Sequence, residues 1–444
     1  MLQRIRISGT RLPELHGVLL GSAVVQAGGM FLTLLLGVQL ARFLGPASYG
    51  IYGICLAVVS ILGVPAQAGL PLLATRDGGR AAAKGSDTDL RSLFSWFIPR
   101  TLLFAALSCL CALAIIIGAA PRWTTERPVI VALSAGLTVA LALSAVTSAL
   151  LRGVGLNLIG QSLDILVKPG LTAAAVLLLF LASRGLTVEK ALAVQLAAAA
   201  ACAAVAACIF LIKSGKRADR HRLYDPGCWE RVAAAFTVNS LLIALNSTYP
   251  VIVAGYFASA SDVGVLRAAL SAAALLALPA SIANIATLPI VAREAAEDDV
   301  AAVRVTLSHT TLATVGATSI VLSVVILFGR PAIVILFGKA YQGSYLPLII
   351  LGASQLLISC FGIAGSYLNV TGREVLVVKA FALAVPSGLA ASVGLGYLFG
   401  IAGISAGTLV MAAVWHFYIF IINRREIDVP LFVVSAAKHA WGRP

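Results

Sequence analysis

The stretch Leu40-Ala41-Arg42-Phe43-Leu44-Gly45-Pro46-Ala47-Ser48-Tyr49-Gly50 joins two long apolar segments near the start of the chain, and the second segment contains Pro65. About 214 residues later, Ser261-Asp262-Val263-Gly264 stands in the place of Ser48-Tyr49-Gly50, and the apolar segment after it contains Pro279. A duplicated hairpin with a proline at the same offset in each copy is typical of membrane transporters built from internal repeats.

The composition indicates a polytopic membrane protein. The 444 residues are 60% hydrophobic and 11% charged, with a mean hydropathy of +0.99, whereas soluble domains carry about 25% charged residues. Apolar runs of about 20 residues, each long enough to cross a bilayer, recur along the whole chain. We therefore predict an all-α protein with about twelve transmembrane helices, near residues 17–41, 50–75, 93–118, 129–151, 157–183, 188–212, 232–255, 264–292, 305–329, 344–369, 375–399 and 401–423.

The basic residues predict the orientation. Of the 32 Lys and Arg residues, 21 fall on the side that holds both termini and 7 on the opposite side. This bias places both termini in the cytoplasm, and we expect no cleaved signal peptide. The net charge of +14 then reflects topology and attraction to anionic membrane lipids, so it is no evidence for a nucleic-acid partner.

The longest hydrophilic segment between predicted spans divides the chain into two sets of six. We predict an N-terminal six-helix bundle over residues 1–213, a cytoplasmic linker over 214–231 and a C-terminal six-helix bundle with a short cytoplasmic tail over 232–444. Because six is an even number, both bundles enter the membrane in the same sense. The repeats are therefore expected to be parallel.

Charged side chains at membrane depth are costly, which makes each one a functional candidate. Asp164 and Lys168 lie four residues apart in the fifth span; they form either a self-neutralising pair or an ion-coupling carboxylate beside a substrate-binding cation. Arg100 either extends to the cytoplasmic surface or binds an anionic group in the lumen. Arg267 either pairs with Asp262 or binds substrate.

Uncharged polar residues and prolines supply further candidates. Asn239 and Asn246 share one face of the seventh span, with Gln26 as their expected counterpart in the first span; such a stripe requires neighbouring helices or a wet cavity. Pro65 and Pro279 interrupt the backbone hydrogen bonds of equivalent spans. We predict that they are hinges, the alternative being static kinks.

Enzyme chemistry finds little support in the sequence. No catalytic triad is recognisable, the HExxH and P-loop motifs do not occur, and no loop is long enough for a catalytic domain. The seven Cys residues form no CxxC pair. We therefore predict no catalytic residues, no cofactor and no metal site.

The motifs quoted above resemble a known family. Residues 41–52, Ala68-Gly69-Leu70-Pro71, Leu336-Phe337-Gly338-Lys339-Ala340-Tyr341 and Leu368-Asn369-Val370-Thr371-Gly372-Arg373-Glu374 are similar to the Wzx-type polysaccharide and O-antigen flippases of the MOP (multidrug, oligosaccharidyl-lipid, polysaccharide) superfamily. The resemblance implies two six-helix bundles in a V around a central cavity. It also implies alternating-access translocation of undecaprenyl-pyrophosphate-linked oligosaccharide across the bacterial inner membrane, for cell-surface polysaccharide biosynthesis.

The resemblance gives the candidate residues provisional roles. Arg100, Lys168 and Arg267 would neutralise the diphosphate, Asn239, Asn246 and Gln26 would bind sugar hydroxyls, and Asp164 would couple translocation to an ion. A polysaccharide polymerase and chain-length machinery are further expected partners.

Two other functions stay open. One is a drug/cation antiporter of the same superfamily, similar to MATE transporters, and the other is a membrane polysaccharide polymerase or ligase. An antiporter needs a buried acidic residue for cationic drugs, for which Asp164 is the candidate. A polymerase or ligase needs sizeable outer loops with catalytic Arg or His, which this sequence lacks.

Overall fold

The computed structural model describes residues 12–83, 87–119, 128–183, 185–214, 226–426 and 432–433. Within these ranges the regular structure is helical and contains no strand, which confirms the all-α class. The α-helices are α1 (Leu12–Gln67), α2 (Leu70–Ala83), α3 (Asp87–Ala119), α4 (Pro128–Gly153), α5 (Asn157–Ser162), α6 (Lys168–Ser183), α7 (Val188–Lys213), α8 (Pro226–Phe257), α9 (Ala260–Ala273), α10 (Leu278–Ala296), α11 (Val300–Leu336), α12 (Tyr345–Ser359), α13 (Ala364–Val370) and α14 (Glu374–Glu426). A π-helix (Leu163–Val167) joins α5 to α6, and a 3₁₀-helix (Lys339–Ser344) precedes α12.

Several of the helical segments are long and apolar enough to cross a membrane. Eight candidate spans occur in the described residues. The number rises to ten if two bent segments each count as one span. The first consists of α9 and α10, and the second consists of the 3₁₀-helix, α12 and α13. The protein is therefore a multi-pass membrane protein. The predicted apolar runs all fall on these helices. The count of twelve stays a prediction, because α14 contains two of the runs and α1 contains one run and most of a second, which continues into α2.

Both of these long helices contain a break at a glycine. Gly45 in α1 has φ 73° and ψ 168°, and Gly400 in α14 has φ 59° and ψ −141°. Positive φ is a conformation that glycine adopts at little cost. The break at Gly45 lies within the stretch that joins the first two predicted spans, so it interrupts the helix between them.

The duplicated prolines lie beside breaks in equivalent spans, but on opposite sides of them. Pro65 comes just before the break at Ala68 and Gly69, which both have positive φ. Pro279 comes just after the break between α9 and α10, where the axes bend by 42°. The proline positions thus mark interruptions of the helical ladder. Their role as hinges stays a prediction.

The two halves meet where the duplicated hairpins cross. A Cβ atom on Gly50 of α1 would collide with the carbonyl oxygen of Ala260, and one on Gly264 of α9 would collide with the carbonyl oxygen of Pro46. The two glycines occupy the same position in the two copies of the motif. Only glycine permits this backbone contact between α1 and α9, as in close helix crossings of membrane proteins generally.

The division of the chain into two bundles and a linker stays a prediction. Helix α7 ends at Lys213 and α8 begins at Pro226, which brackets the predicted linker of residues 214–231. Residues 215–225, like residues 1–11 and 434–444 at the predicted cytoplasmic ends, lie outside the described residues.

Replacing Gly50 by Ala is expected to separate the halves at this crossing and to lower the melting temperature of the detergent-solubilised protein. Overpacking of this kind costs about 1–3 kcal/mol. Thermal unfolding followed by fluorescence-detected size exclusion measures the effect.

The matched control is Gly316→Ala in α11, where an added Cβ has no neighbour within 4 Å. This substitution is expected to leave the melting temperature unchanged or to raise it, because alanine is the better helix former. Equal melting temperatures for Gly50→Ala and Gly316→Ala would contradict the assigned contact.

Candidate functional site

The predicted outer side of the molecule is closed by contacts between the halves. The Tyr341 hydroxyl donates to the carbonyl oxygen of Ala41 at 2.7 Å, and the Arg42 guanidinium donates to the carbonyl oxygens of Leu336, at 2.7 Å, and Ile335. Tyr341 is fully buried. These bonds join the turn after the first span to the end of α11 and the following 3₁₀-helix. They add to the contact that the two halves make at Gly50 and Gly264.

Arg267 lies inside this closure. Its guanidinium carbon is 5.7 Å from the ring centroids of both Tyr49 and Tyr52, and its Nε is buried with no hydrogen-bond partner among the described residues. The predicted alternative of a pair with Asp262 is not what the structure shows, since Asp262 accepts from the Ser259 hydroxyl at 2.7 Å. Arg267 therefore holds a positive charge between the halves through cation–π contacts.

A charged cluster lies in the N-terminal half around Asp164. Lys168 Nζ is 2.7 Å from Asp164 Oδ1, and Arg152 Nη1 is 3.9 Å from Asp164 Oδ2. The Ser144 hydroxyl donates to Asp164 Oδ1 at 3.3 Å. The side chains of Asp164, Lys168 and Arg152 are 19%, 21% and 29% exposed. The cluster has one positive charge more than it has negative charges and retains access from outside the protein.

The π-helix positions this cluster. Asp164 lies within Leu163–Val167, where π geometry replaces the ordinary helical turn. Single π turns inside α-helices occur often at functional sites. Gly29 of α1 packs against this segment so closely that a Cβ would lie 2.5 Å from the carbonyl oxygen of Ile165. The first span therefore supports the π-helix directly.

A cavity of about 570 Å³ lies in the C-terminal half. Its walls come from α8, α9, α10, α12, α13 and α14. Asn246, a predicted sugar-binding residue, is exposed on this wall. Asp, Glu, Lys and Arg do not occur among the described residues that line the cavity.

The remaining predicted residues are not brought to one point. Arg100 is exposed, with its guanidinium 3.8 Å above the Trp96 ring and a hydrogen bond to the Trp96 carbonyl oxygen. Gln26 is half-buried on α1, one turn before Gly29. Asn239 lies on α8, but its side chain is outside the described residues. The predicted substrate roles of these residues stay predictions.

Sequence reasoning missed several residues of these sites. Arg152 is not among the predicted site residues, because nothing in its local sequence indicates that it reaches Asp164 twelve positions later. The polar cavity residues on α10, α12 and α14 were also missed. Scattered single polar residues in those apolar helices, such as Asn284 and Gln355, were the available signal.

Comparison with known proteins yields a family. The model of the family described as "Polysaccharide biosynthesis protein" matches residues 18–294, which is more than half of the chain. Among curated proteins, no sequence matches.

Several solved structures share the fold at low sequence identity. The lipid II flippase MurJ in an inward closed conformation is 13% identical, with a TM-score of 0.68 over 95% of this chain and 90% of that chain. An inward-facing multidrug resistance MATE family transporter of the MOP superfamily is 15% identical, with a TM-score of 0.60 over 98% and 97%. The Vibrio cholerae MATE transporter VcmN is 17% identical, with a TM-score of 0.57 over 93% and 99%.

Removing the Asp164 carboxylate is expected to destabilise the protein, because Lys168 and Arg152 would then be two unpaired, half-buried cations at membrane depth. We expect Asp164→Ala to lower the apparent melting temperature, and a second substitution, Lys168→Ala, to restore part of the loss. A double-mutant cycle of melting temperatures in detergent measures this coupling. Strictly additive effects of the two substitutions would show that the pair contributes nothing to stability.

Proposed function

The chain belongs to the polysaccharide biosynthesis protein family, and from that premise we propose that it is a flippase which moves undecaprenyl-pyrophosphate-linked oligosaccharide across a bacterial inner membrane. The family match agrees with the resemblance found in the sequence. The shared fold with the MurJ and MATE transporters indicates transport rather than catalysis, and the protein is accordingly proposed not to be an enzyme.

The observation that carries the proposal is the cluster of Asp164, Lys168 and Arg152. A diphosphate needs positive charge inside a low-dielectric environment, and this cluster offers a net positive charge on partly exposed side chains. Asp164 lowers the cost of holding the two cations at membrane depth when no substrate is bound. When the diphosphate binds, it takes the place of the carboxylate as the counter-charge, and Asp164 becomes free to take up a proton or cation.

Alternating access follows from where the halves touch. In this structure α1 contacts α8, α9 and α10, with the Gly50–Gly264 crossing and the hydrogen bonds of Arg42 and Tyr341 on the predicted outer side. The headgroup would enter from the cytoplasmic side, with Asn246, Asn239 and Gln26 binding sugar hydroxyls. The halves would then rock at the breaks beside Pro65 and Pro279, and Arg267 would leave its tyrosine contacts as the outer side opens.

Localisation and partners complete the proposal. The excess of Lys and Arg on one side supports cytoplasmic termini in the inner membrane. A flipped, lipid-linked repeat unit must next be joined to others, so a polysaccharide polymerase and chain-length machinery are the proposed partners.

The second candidate is a drug/cation antiporter, which the MATE structures favour. A cationic drug would require a carboxylate free to pair with it. Asp164 already has Lys168 at 2.7 Å and Arg152 at 3.9 Å, so it offers no unpaired negative charge. Efflux of ethidium by cells that express the protein would favour this candidate over the flippase. A polymerase or ligase has no supporting observation in the structure.

Lys168→Ala is expected to reduce flipping by at least about tenfold, since a charge-assisted contact to phosphate is worth about 1.5–3 kcal/mol. The measurement is complementation of a bacterium that lacks its lipid-linked-oligosaccharide flippase, with surface polysaccharide and accumulated undecaprenyl-linked intermediate both quantified. Lys168→Arg is expected to retain part of the activity, because it preserves the charge.

Lys190→Ala serves as the matched control, because Lys190 is an exposed lysine of α7. It should complement like the wild type. Full activity of Lys168→Ala at normal membrane levels would remove Lys168 from the diphosphate site. Loss of activity in Lys190→Ala would show that the effect of removing a lysine is not specific to position 168.

A further inference from the structure

The described residues that line the cavity in the C-terminal half are polar or apolar but carry no Asp, Glu, Lys or Arg. Its polar groups are amides, hydroxyls, an indole and an imidazole, and they include Asn246, Asn284, Ser354, Gln355 and Thr408. Polar groups at membrane depth must face one another, water or a ligand. The volume of about 570 Å³ lies within the range of roughly 300–1,000 Å³ that is usual for small-molecule sites.

Two lining residues carry a buried polar atom without a partner. The Asn284 side-chain oxygen, an acceptor, and the Trp415 indole nitrogen, a donor, have no hydrogen-bond partner among the described residues. Leaving such atoms unpaired in an apolar surrounding is costly. An acceptor and a donor in one wall are complementary to hydroxyl groups, which both donate and accept.

Trp415 is held by its neighbours in a fixed position. Its ring lies 5.5 Å from that of Phe381 and 4.5 Å from that of His416. Gly365 leaves space for the indole, since a Cβ there would be 2.8 Å from it. The His416 Nδ1 donates to the Ala412 carbonyl oxygen at 2.7 Å, which leaves Nε2 as an acceptor. The cavity therefore offers aromatic surface beside hydrogen-bonding groups.

We infer that this cavity is a subsite for an uncharged sugar of the glycan headgroup, with Asn284 and Trp415 as specificity-determining residues; the inference rests on the proposed flippase function. A pyranose presents hydroxyl groups at its edge and C–H groups on its faces, which matches this lining. A uronic acid would enter without a cation to pair with it, and a cationic drug without a carboxylate. The glycan unit bound here is therefore neutral.

The test uses bacteria that lack their own flippase and differ in their surface repeat unit. One set makes repeat units of neutral hexoses, and the other makes repeat units with hexuronic acids. The wild-type protein should restore polysaccharide and clear the intermediate in a neutral strain, and give at least about tenfold less in the acidic strains.

Three variants separate a specific site from a structural role. Asn284→Ala and Trp415→Phe, which removes only the indole nitrogen and one ring, should each lower neutral polysaccharide by about tenfold at normal membrane levels, the size of effect that follows when buried hydrogen-bonding groups lose their partner. Gln355→Arg should move the ratio of activities towards the acidic strains. Asn157→Ala, an exposed amide of the other half, is the matched control and should complement like the wild type.

Each outcome decides between the claims. Equal complementation of neutral and acidic strains by the wild type, or wild-type activity of both Asn284→Ala and Trp415→Phe in neutral strains, would overturn the neutral-sugar subsite and leave the flippase proposal intact. Complementation of neither set by a membrane-inserted wild type would overturn the flippase proposal, and the subsite with it.

Discussion

The backbone contact between Gly50 and Gly264 is the constraint on which the arrangement of the two halves depends. The two residues are the same position of a duplicated motif, and a side chain on either would collide with a carbonyl oxygen of the other hairpin. Because the backbones touch, Tyr341 reaches Ala41 and Arg267 reaches Tyr49. The duplication of one glycine thus produces a crossing that closes one side of the molecule.

The charged cluster around Asp164 and the cavity with an uncharged described lining lie in different halves. The N-terminal half places Lys168 and Arg152 around Asp164, whereas the C-terminal half has a cavity whose described lining contains no Asp, Glu, Lys or Arg. A lipid-linked glycan has the same two parts, an anionic diphosphate and a polyhydroxyl chain. The physical cost of unpaired charge in a membrane accounts for both features under the proposed function: Asp164 would pair with the cations until a diphosphate replaces it, and the described cavity lining presents uncharged polar groups to the sugar.

Local signals predicted much of the fold, because apolar length, glycine and proline act over a few residues. The hairpin at Gly45, the breaks beside Pro65 and Pro279, and the i,i+4 pair of Asp164 and Lys168 all follow from such signals. Contacts between residues far apart in the sequence do not follow from such local signals. Arg152 meets Asp164 only because α4 packs beside the π-helix, and nothing in the sequence places Trp415 of α14 in one wall with Asn284 of α10. The exposed position of Arg100 likewise depends on which face of α3 packs inward.

In the proposed transport cycle, the halves must part at the hairpin crossing for substrate to move. The most direct measurement joins them there, with Ala47→Cys and Ala260→Cys in a variant without the seven native cysteines. The protein is reconstituted in vesicles with fluorescent undecaprenyl-pyrophosphate-linked oligosaccharide, and flipping is followed before and after treatment with a short, cleavable bis-thiol cross-linker. We expect cross-linking to stop flipping and cleavage of the linker to restore it. Undiminished flipping by fully cross-linked protein would show that the halves need not part at the crossing.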